Sequence, residues 1–358
     1  MALTRIQPPA IADVREPNFR NIVINGDMAV AQRGTSTASI TTENYYTVDR
    51  FNVFLTTLGT WTQSQATDVP TGSGFATSLK MDCTSADASP AAGDRMFIYQ
   101  RFEGQNLQYL KKGTSSAVPL TLSFWVKSVL TGTYICELGD NDNSRKISKS
   151  YTISSASTWE KKTITFPADT TGTLDDDNAN SLDVIWWLGA GTTYTSGSLN
   201  TSWNGSVADA NRAVGQVNLA SSTSNNFWIT GIQLEAGSVA TDFEVISYDQ
   251  NLERCYRYYE AIAENDTAVG FGGSYDSNTC GFHRSCSPKR ATPSITQVSG
   301  TNYYRIYTGA TVSFNSFSIA YANPQGGIFY ATPTIADNLI GWFTCYNAAA
   351  KIALESEL

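Results

Sequence analysis

Residues 120–127 read Leu-Thr-Leu-Ser-Phe-Trp-Val-Lys. Successive side chains of a β-strand point to opposite faces, so the apolar residues at 120, 122, 124 and 126 share one face. Trp125 and Lys127 lie on the other face. The stretch therefore predicts a half-buried strand that packs its apolar face into a core.

The same alternation recurs along the chain, which places the protein in the all-β class. Further segments rich in β-branched and aromatic residues are separated by turn-forming clusters, as in a sandwich whose strands each bury one face. We therefore predict a β-sandwich over residues 22–247. The further strands are predicted at residues 133–138, 162–166, 182–188 and 227–234.

The composition excludes several classes of function. The 358 residues carry a net charge of -8 with scattered Lys and Arg, so no basic stripe exists to neutralise the phosphates of a nucleic acid. No run of about 18 apolar residues occurs, so membrane insertion is not expected. A secretory signal is not expected either. The six cysteines are irregularly spaced. Folding in a reducing cytoplasm is the simplest interpretation.

Two segments differ from the sandwich pattern. Residues 1–21 are rich in proline and lack any hydrophobic period, which predicts an extended N-terminal arm. Leu252, Cys255, Tyr256 and Tyr259 fall at helical spacing, which predicts a linking helix over residues 248–264. Ser247 and Gln250 match a capping box at its start. Beyond it, residues 265–358 are predicted to form a second, smaller β domain, with strands at 267–271, 303–307, 311–321 and 339–347.

Aromatic residues in one strand and the following long loop are the candidate sugar contacts. A sugar ring packs on an aromatic face, and neighbouring polar groups bind its hydroxyls. Trp187, Tyr194 and Trp203 are the candidates, because one of the adjacent pair Trp186 and Trp187 faces inward and the other outward. The alternative is packing in the core or between subunits, since tryptophan is mostly buried.

Three clusters have some features of metal sites, and each falls short. Asp140, Asp142 and Ser144 have the spacing of a calcium-binding loop, but arginine and tyrosine occupy the positions that need glycine and glutamate. The acidic run at 175–177 is typical of an exposed loop. Residues 280–286 contain Cys-x-x-His-x-x-Cys, without a second ligand pair to complete a zinc site. We therefore expect no metal and no cofactor.

No catalytic site is predicted. His283 is the single histidine of the chain, and the nearest thiol, Cys280, lies in what reads as a glycine-rich loop. Glu235, Asp242 and Glu244 are carboxylates that a glycosidase could use, but pairing across a cleft cannot be read from sequence. The repeat period of enzymatic β-helix spikes is missing. The chain is therefore expected not to be an enzyme.

Residues near both ends of the sandwich carry a family resemblance. Residues 19–34 read Phe-Arg-Asn-Ile-Val-Ile-Asn-Gly-Asp-Met-Ala-Val-Ala-Gln-Arg-Gly and are followed by Tyr-Thr-Val-Asp-Arg-Phe at 46–51. Residues 227–237 read Phe-Trp-Ile-Thr-Gly-Ile-Gln-Leu-Glu-Ala-Gly and precede Thr-Asp-Phe-Glu at 241–244 and Cys-Tyr-Arg-Tyr-Tyr at 255–259. Together these segments resemble bacteriophage fibre and virion decoration proteins. The Asn-Gly-Asp start, the strand at 124–127 and residues 159–166 are similar to jelly-roll carbohydrate-binding modules.

The resemblance implies a jelly roll and a virion protein made in the cytoplasm of a host bacterium. It implies a homotrimeric tail fibre or receptor-binding protein, docked to other virion proteins by Ile6, Pro8, Pro9 and Ile11 of the arm and contacting host surface glycan. Alternatives are an architectural capsid decoration or head-fibre protein and, third, a polysaccharide depolymerase.

Overall fold

The computed structural model describes residues 20–358, which form four antiparallel β-sheets and two short α-helices. The fold is all-β, as predicted. The predicted docking residues Ile6, Pro8, Pro9 and Ile11 lie outside the described part of the chain.

The first thirteen strands form a jelly-roll sandwich of two sheets. Sheet I has the order β1-β4-β5-β13-β7-β10, and sheet II the order β12-β9-β8-β11-β6-β3-β2. A one-turn helix, α1 (Thr192–Thr195), follows β11. The strands are β1 (Ser36–Ile40), β2 (Asn44–Tyr45), β3 (Asn52–Thr56), β4 (Thr60–Ala66), β5 (Ser78–Ser85), β6 (Arg95–Glu103), β7 (Leu120–Ser128), β8 (Gly132–Asp140), β9 (Arg145–Ile153), β10 (Glu160–Phe166), β11 (Asn180–Ala190), β12 (Asn204–Gly205) and β13 (Asn226–Ala236).

Alternation along the strands builds the sandwich core. Strand β7 pairs with β13 and β10, and its side chains Leu122, Phe124 and Val126 are fully buried between the sheets. Trp61 and Trp186 are also fully buried, in the same core. Burying side chains of this size contributes about 2–3 kcal/mol each. The strand predicted at 120–127 is thus confirmed, but it is not half-buried as predicted, because Thr121, Ser123 and Lys127 on its other face are only 0%, 3% and 8% exposed.

The predicted linking helix is shorter than expected. Helix α2 spans Tyr248–Tyr256 and ends there, and residues from Tyr259 onward form strand β14 instead. The prediction of a helix over 248–264 was therefore wrong in its second half. Tyr259 pairs with Glu355 of a distant strand, and such non-local pairing overrides a helical pattern. Ser247 forms no side-chain capping hydrogen bond.

The remaining strands form a second β unit of two sheets. Sheet III has the order β14-β23-β17 and sheet IV the order β19-β18-β22-β15-β16-β21-β20. The strand predicted at 311–321 is divided in two, because Phe317 turns into the core and is 3% exposed. The strands are β14 (Tyr259–Glu264), β15 (Ala268–Asp276), β16 (Thr279–Ser285), β17 (Ser294–Val298), β18 (Tyr304–Tyr307), β19 (Thr311–Phe314), β20 (Ser318–Asn323), β21 (Gly326–Ala331), β22 (Ile340–Cys345) and β23 (Lys351–Glu355).

Residues 355–358, the anchor segment, join the second unit to the sandwich. Glu357 forms ion pairs with Arg50, which is fully buried, and with Arg33 at 3.1 Å. Arg101 Nη1 donates to the carbonyl oxygen of Leu358 at 2.9 Å. The Arg50 guanidinium also lies 3.5 Å from the ring centre of Tyr258. The two units are therefore connected by buried charges rather than by the chain alone.

Candidate functional site

Trp187 and Tyr194 lie together on the outer face of sheet II, but neither is open to solvent. Trp186 points into the sandwich core and Trp187 to the opposite face, as strand alternation requires. The segment after β11 folds back over this face, and the ring centre of Tyr194 lies 5.6 Å from that of Trp187. Trp187 is 0% exposed and Tyr194 is 7% exposed, so neither ring offers a face on which a sugar could stack.

Arg212 closes this covering segment over the sheet. It donates to the carboxylate of Glu137 at 2.7, 3.1 and 3.2 Å, and its guanidinium lies 5.1 Å from the ring centre of Trp187. Glu137 is fully buried. Trp203 is placed elsewhere: its indole N–H donates to the carbonyl oxygen of Pro167 at 2.8 Å, and Lys112 lies over its ring. The three predicted aromatic residues therefore do not form one platform.

Asp183 is a partly buried charge on the same sheet face. Its Oδ1 is buried and has no hydrogen-bond partner among residues 20–358, while Oδ2 accepts from Asn141 at 3.3 Å. Burial and the neighbouring Glu137 raise the pKa of Asp183 to about 6, with Lys146 and Arg101 acting in the opposite direction. The ionised carboxylate thus weakens the fold at neutral pH.

Asp183→Asn is expected to stabilise the protein at pH 7 by about 1–3 kcal/mol, the size of a shift of one to two pKa units. The folded state holds this proton up to about pH 6 whereas the unfolded chain releases it near its usual value of 3.8, so stability falls as pH rises between these values. Burial also raises the pKa of Asp49 to about 6, so the difference between variant and parent isolates Asp183. Urea unfolding between pH 4 and 8 measures it. Parallel stability curves for the two proteins would contradict the assignment.

Of the acidic residues considered for calcium, Asp140 is paired with a lysine of the protein. Asp140 is 1% exposed and pairs with Lys112, which also contacts Asp169 at 2.8 Å. Asp169 in turn pairs with Arg145 at 2.7 Å. Asp175 belongs to an exposed loop. Within residues 20–358, no group of three or more His, Cys, Asp or Glu side chains could hold a metal ion.

The other chemical candidates are dispersed or engaged. Cys280 is buried and His283 exposed, because they lie on strand β16 with opposite orientations rather than in the predicted glycine-rich loop. Glu235 accepts from Thr241 at 2.6 and 2.9 Å, and Glu244 accepts from two backbone N–H groups at 2.8 and 3.1 Å. Asp242 is exposed. Glu235 and Glu244 therefore hold local structure.

Sheet IV presents an exposed aromatic surface, which we call the aromatic face. Its opposite side packs into the core of the second unit, so alternation turns this set of residues outward. Tyr307 pairs with Trp342 and Trp342 with Phe271 across three adjacent strands. Apolar patches of this kind mark binding or association surfaces. The exposed residues are Phe271 (56%), Tyr275 (89%), Tyr307 (52%), Tyr321 (87%), Ile328 (37%), Ile340 (66%) and Trp342 (54%).

One end of the aromatic face contains a groove of about 640 Å³, which we call the tyrosine groove. Tyr275 and Tyr321 line it and are almost completely exposed. Gly273 and Gly281, which pair directly across β15 and β16, leave its floor without side chains. The remaining lining includes Ser274, Thr279, His283, Ile328 and Tyr330.

Tyr321 adopts a backbone conformation that is unusual for its residue type. Its φ is 48°, at an irregularity in the pairing of β20 with β21. The left-handed region costs a bulky residue about 1–2 kcal/mol relative to glycine. Because the ring is 87% exposed, packing within this chain does not offset that cost. Strain of this kind clusters at ligand contacts.

Sequence reasoning placed strands here but missed the groove. One signal was available: a sheet with one solvated face normally carries polar residues on that face, whereas β15 carries Phe271 and Tyr275 there and β22 carries Trp342. The lining has phenol, hydroxyl, imidazole and aromatic faces and no acidic or basic side chain other than His283. Such a surface can stack on and hydrogen-bond a neutral, polyhydroxylated ligand.

Comparisons with known proteins give a broad likeness in shape. No family model and no curated protein match the sequence. Among solved structures, the enzymatically active domain of tailspike protein 4 of bacteriophage CBA120 is similar over 62% of this chain and 22% of its own length, with 15% identity and a TM-score of 0.31. The chain thus spans about a fifth of that protein.

Two carbohydrate-binding structures are also similar. A family 11 carbohydrate-binding module from Clostridium thermocellum, in complex with a mixed-linked tetrasaccharide, covers 58% of this chain and 98% of its own, with 13% identity and a TM-score of 0.30. The N-terminal cellulose-binding domain of a Cellulomonas fimi β-1,4-glucanase covers 53% and 90%, with 12% identity and a TM-score of 0.28. At identities and TM-scores this low, the similarity carries no information on function. Only the chain's own side chains do.

Proposed function

We propose that the protein is a glycan-binding virion component, a homotrimeric tail fibre or receptor-binding protein, and that the tyrosine groove of its second β unit contacts host surface glycan. The observation that carries the proposal is the pair of tyrosines, Tyr275 and Tyr321, which are 89% and 87% exposed and line the same groove as Gly273 and Gly281. The N-terminal arm, with Ile6, Pro8, Pro9 and Ile11, is the proposed attachment to the particle.

The groove suits a sugar ring for three physical reasons. Tyrosine offers an apolar face for the C–H side of a pyranose and a hydroxyl for its polar edge. Gly273 and Gly281 allow the ligand to approach the backbone closely. A volume of about 640 Å³ lies within the usual range of small-molecule sites.

Removing the two tyrosine rings is expected to abolish most of the glycan affinity. Tyr275→Ala and Tyr321→Gly should each weaken binding about tenfold, which corresponds to about 1.4 kcal/mol per ring. Glycine is chosen at 321 because it relieves the left-handed backbone, so this variant should unfold no more readily than the parent. Binding is measured by glycan array and then by calorimetry on the polysaccharide that the parent protein retains.

Tyr248→Ala is the matched control, because Tyr248 is 59% exposed on helix α2 and does not line the groove. Its affinity should equal that of the parent. Failure of the purified protein to bind any surface glycan of its host would contradict the proposal, as would full affinity in the Tyr275→Ala, Tyr321→Gly double variant.

An architectural role is the second candidate, and the other half of the aromatic face favours it. Tyr307, Trp342 and Phe271 form a continuous aromatic row, with the last two ring centres 4.9 Å apart. In a capsid decoration or head-fibre protein, this row would pack against a neighbouring subunit. Loss of the trimer in Trp342→Ala, measured by light scattering, would assign the row to association. Glycan binding by the parent protein then separates the candidates, because a purely architectural protein should bind none.

We propose no catalytic activity. The carboxylates considered for glycoside hydrolysis, Glu235 and Glu244, accept hydrogen bonds from their own surroundings. A fall in the viscosity of host polysaccharide on incubation with the protein would instead favour the third candidate, a depolymerase.

A further inference from the structure

The aromatic face continues beyond the tyrosine groove across the remaining strands of sheet IV. The sheet places β18, β22, β15, β16, β21 and β20 side by side in this order. Tyr307 on β18 pairs with Trp342 on β22, and Trp342 pairs with Phe271 on β15. Tyr321 belongs to β20, the last of these strands, and lines the groove. One outward surface therefore extends from Tyr307 to Tyr321.

This surface is longer than a single sugar ring. Neighbouring strands of a sheet lie about 4.8 Å apart, so the six strands span about 24 Å from the first to the last. The groove occupies the part formed by β15, β16, β21 and β20. The row of Tyr307, Trp342 and Phe271 occupies the rest. A single sugar in the groove would leave this row unused, whereas an extended chain can contact both.

The rings of the row are open to a ligand. Tyr307 is 52%, Trp342 54% and Phe271 56% exposed, although the ring centres of the last two lie only 4.9 Å apart. Aromatic surface of this kind packs against the C–H faces of sugar rings. Gly273 follows Phe271 on the same face of β15 and pairs with Gly281, so the floor beside the row has no side chain. A chain can therefore pass from the row into the groove.

The surface is suited to a neutral ligand. The described residues that line the groove or form the row include no carboxylate, lysine or arginine, and His283 is their single basic group. Charged neighbours in sequence include Asp276, exposed at the end of β15, and Arg305, which pairs with Asp266 at 3.2 Å. The protein carries a net charge of -8, so it does not attract an anionic polymer by its overall field.

We propose that the aromatic face binds a linear, neutral polysaccharide over several consecutive sugars, with part of the chain in the tyrosine groove and the next sugars on Tyr307, Trp342 and Phe271. This inference rests on the proposed glycan-binding function and adds the class of the ligand and the length that is recognised. It assigns the aromatic row to the ligand rather than to a neighbouring subunit.

The test uses the full chain and the polysaccharide that it retains on a glycan array, cut into fragments from the disaccharide to the hexamer. Calorimetry is expected to show affinity rising about a hundredfold over this range, about tenfold for each of two further aromatic rings that the longer fragments contact. A hexamer offers about five registers to a site for two sugars, so a gain of about fivefold or less needs no extended surface and would overturn the proposal. An acidic polysaccharide as the retained ligand would overturn it as well.

Trp342→Ala locates the added contacts. This variant is expected to bind the hexamer about tenfold more weakly and the disaccharide as tightly as the parent, because Trp342 does not line the groove. Unchanged binding of the disaccharide also shows that the variant is folded. Trp342→Phe keeps an aromatic ring and should recover most of the hexamer affinity. Tyr275→Ala, in contrast, should weaken the binding of every fragment.

The outcomes separate this inference from the proposed function. Equal hexamer affinity in the parent and in Trp342→Ala would overturn the inference and leave glycan binding by the groove intact. Loss of the trimer in Trp342→Ala with full hexamer affinity would also overturn it and assign the row to association. Failure of the parent to retain any glycan would contradict the proposed function itself, and this inference with it.

Discussion

Replacing Glu357 with alanine is expected to destabilise the protein by about 3–5 kcal/mol, the cost of leaving a buried charge without its partner. Arg50 is 0% exposed and lies against the ring of Tyr258, so water cannot take the place of the carboxylate. The loss should appear in urea unfolding followed by tryptophan fluorescence, as an earlier transition for the contact between the two β units.

The control for this experiment is Glu355→Ala. Glu355 also pairs with Arg33, at 3.0 Å, but its side chain is 26% exposed. Ion pairs open to solvent contribute about 1 kcal/mol or less, so this variant should remain close to the parent. Equal destabilisation by the two substitutions would show that burial of Arg50 does not determine the effect.

Arg212→Ala is expected to cost a similar amount, about 3–5 kcal/mol, and to expose Trp187. Glu137 would remain fully buried without its guanidinium partner and close to Asp183, whose ionisation is already disfavoured. The segment that covers the outer face of sheet II would lose its main polar attachment. Urea unfolding measures the first effect, and a red shift of the native tryptophan emission measures the second.

Asp209→Ala tests whether the effect belongs to the buried pair. Asp209 contacts Arg212 at 3.3 Å, but its side chain is 55% exposed. A change below about 1 kcal/mol with unaltered emission is expected. An unshifted emission spectrum in Arg212→Ala would mean that the covering segment is held by its backbone alone.

The strands were predictable from sequence because their cause is local. At 120–127 every second residue is apolar, and this pattern alone determines which side chains enter the core. The end of helix α2 was not predictable in the same way. Tyr259 fits the helical face of Leu252 and Cys255, yet it pairs with Glu355, almost one hundred positions later. No window of sequence around Tyr259 contains that partner.

The candidate sites were also predictable only where their cause is local. Alternation correctly separated Trp186 from Trp187, but not the covering of Trp187 by Tyr194 and Arg212, which depends on how a long loop returns to the sheet. The tyrosine groove depends on which face of sheet IV is left without a packed layer.

Aromatic side chains on both faces of sheet IV also affect how its strands can assemble. In most sheets a one-residue slip of a strand moves its apolar side chains into water, which makes the slipped pairing unstable. Here a one-residue slip of β15 would move the exposed Phe271 from water towards the core, so hydrophobicity does not oppose the slip and only side-chain size can. A methyl group at Gly270 would come within 2.3 Å of the Phe282 ring. A slip that moved Phe271 to the position of Gly270 would bring its side chain against the same ring. The small residues of β15 therefore disfavour misassembled, aggregation-prone pairings.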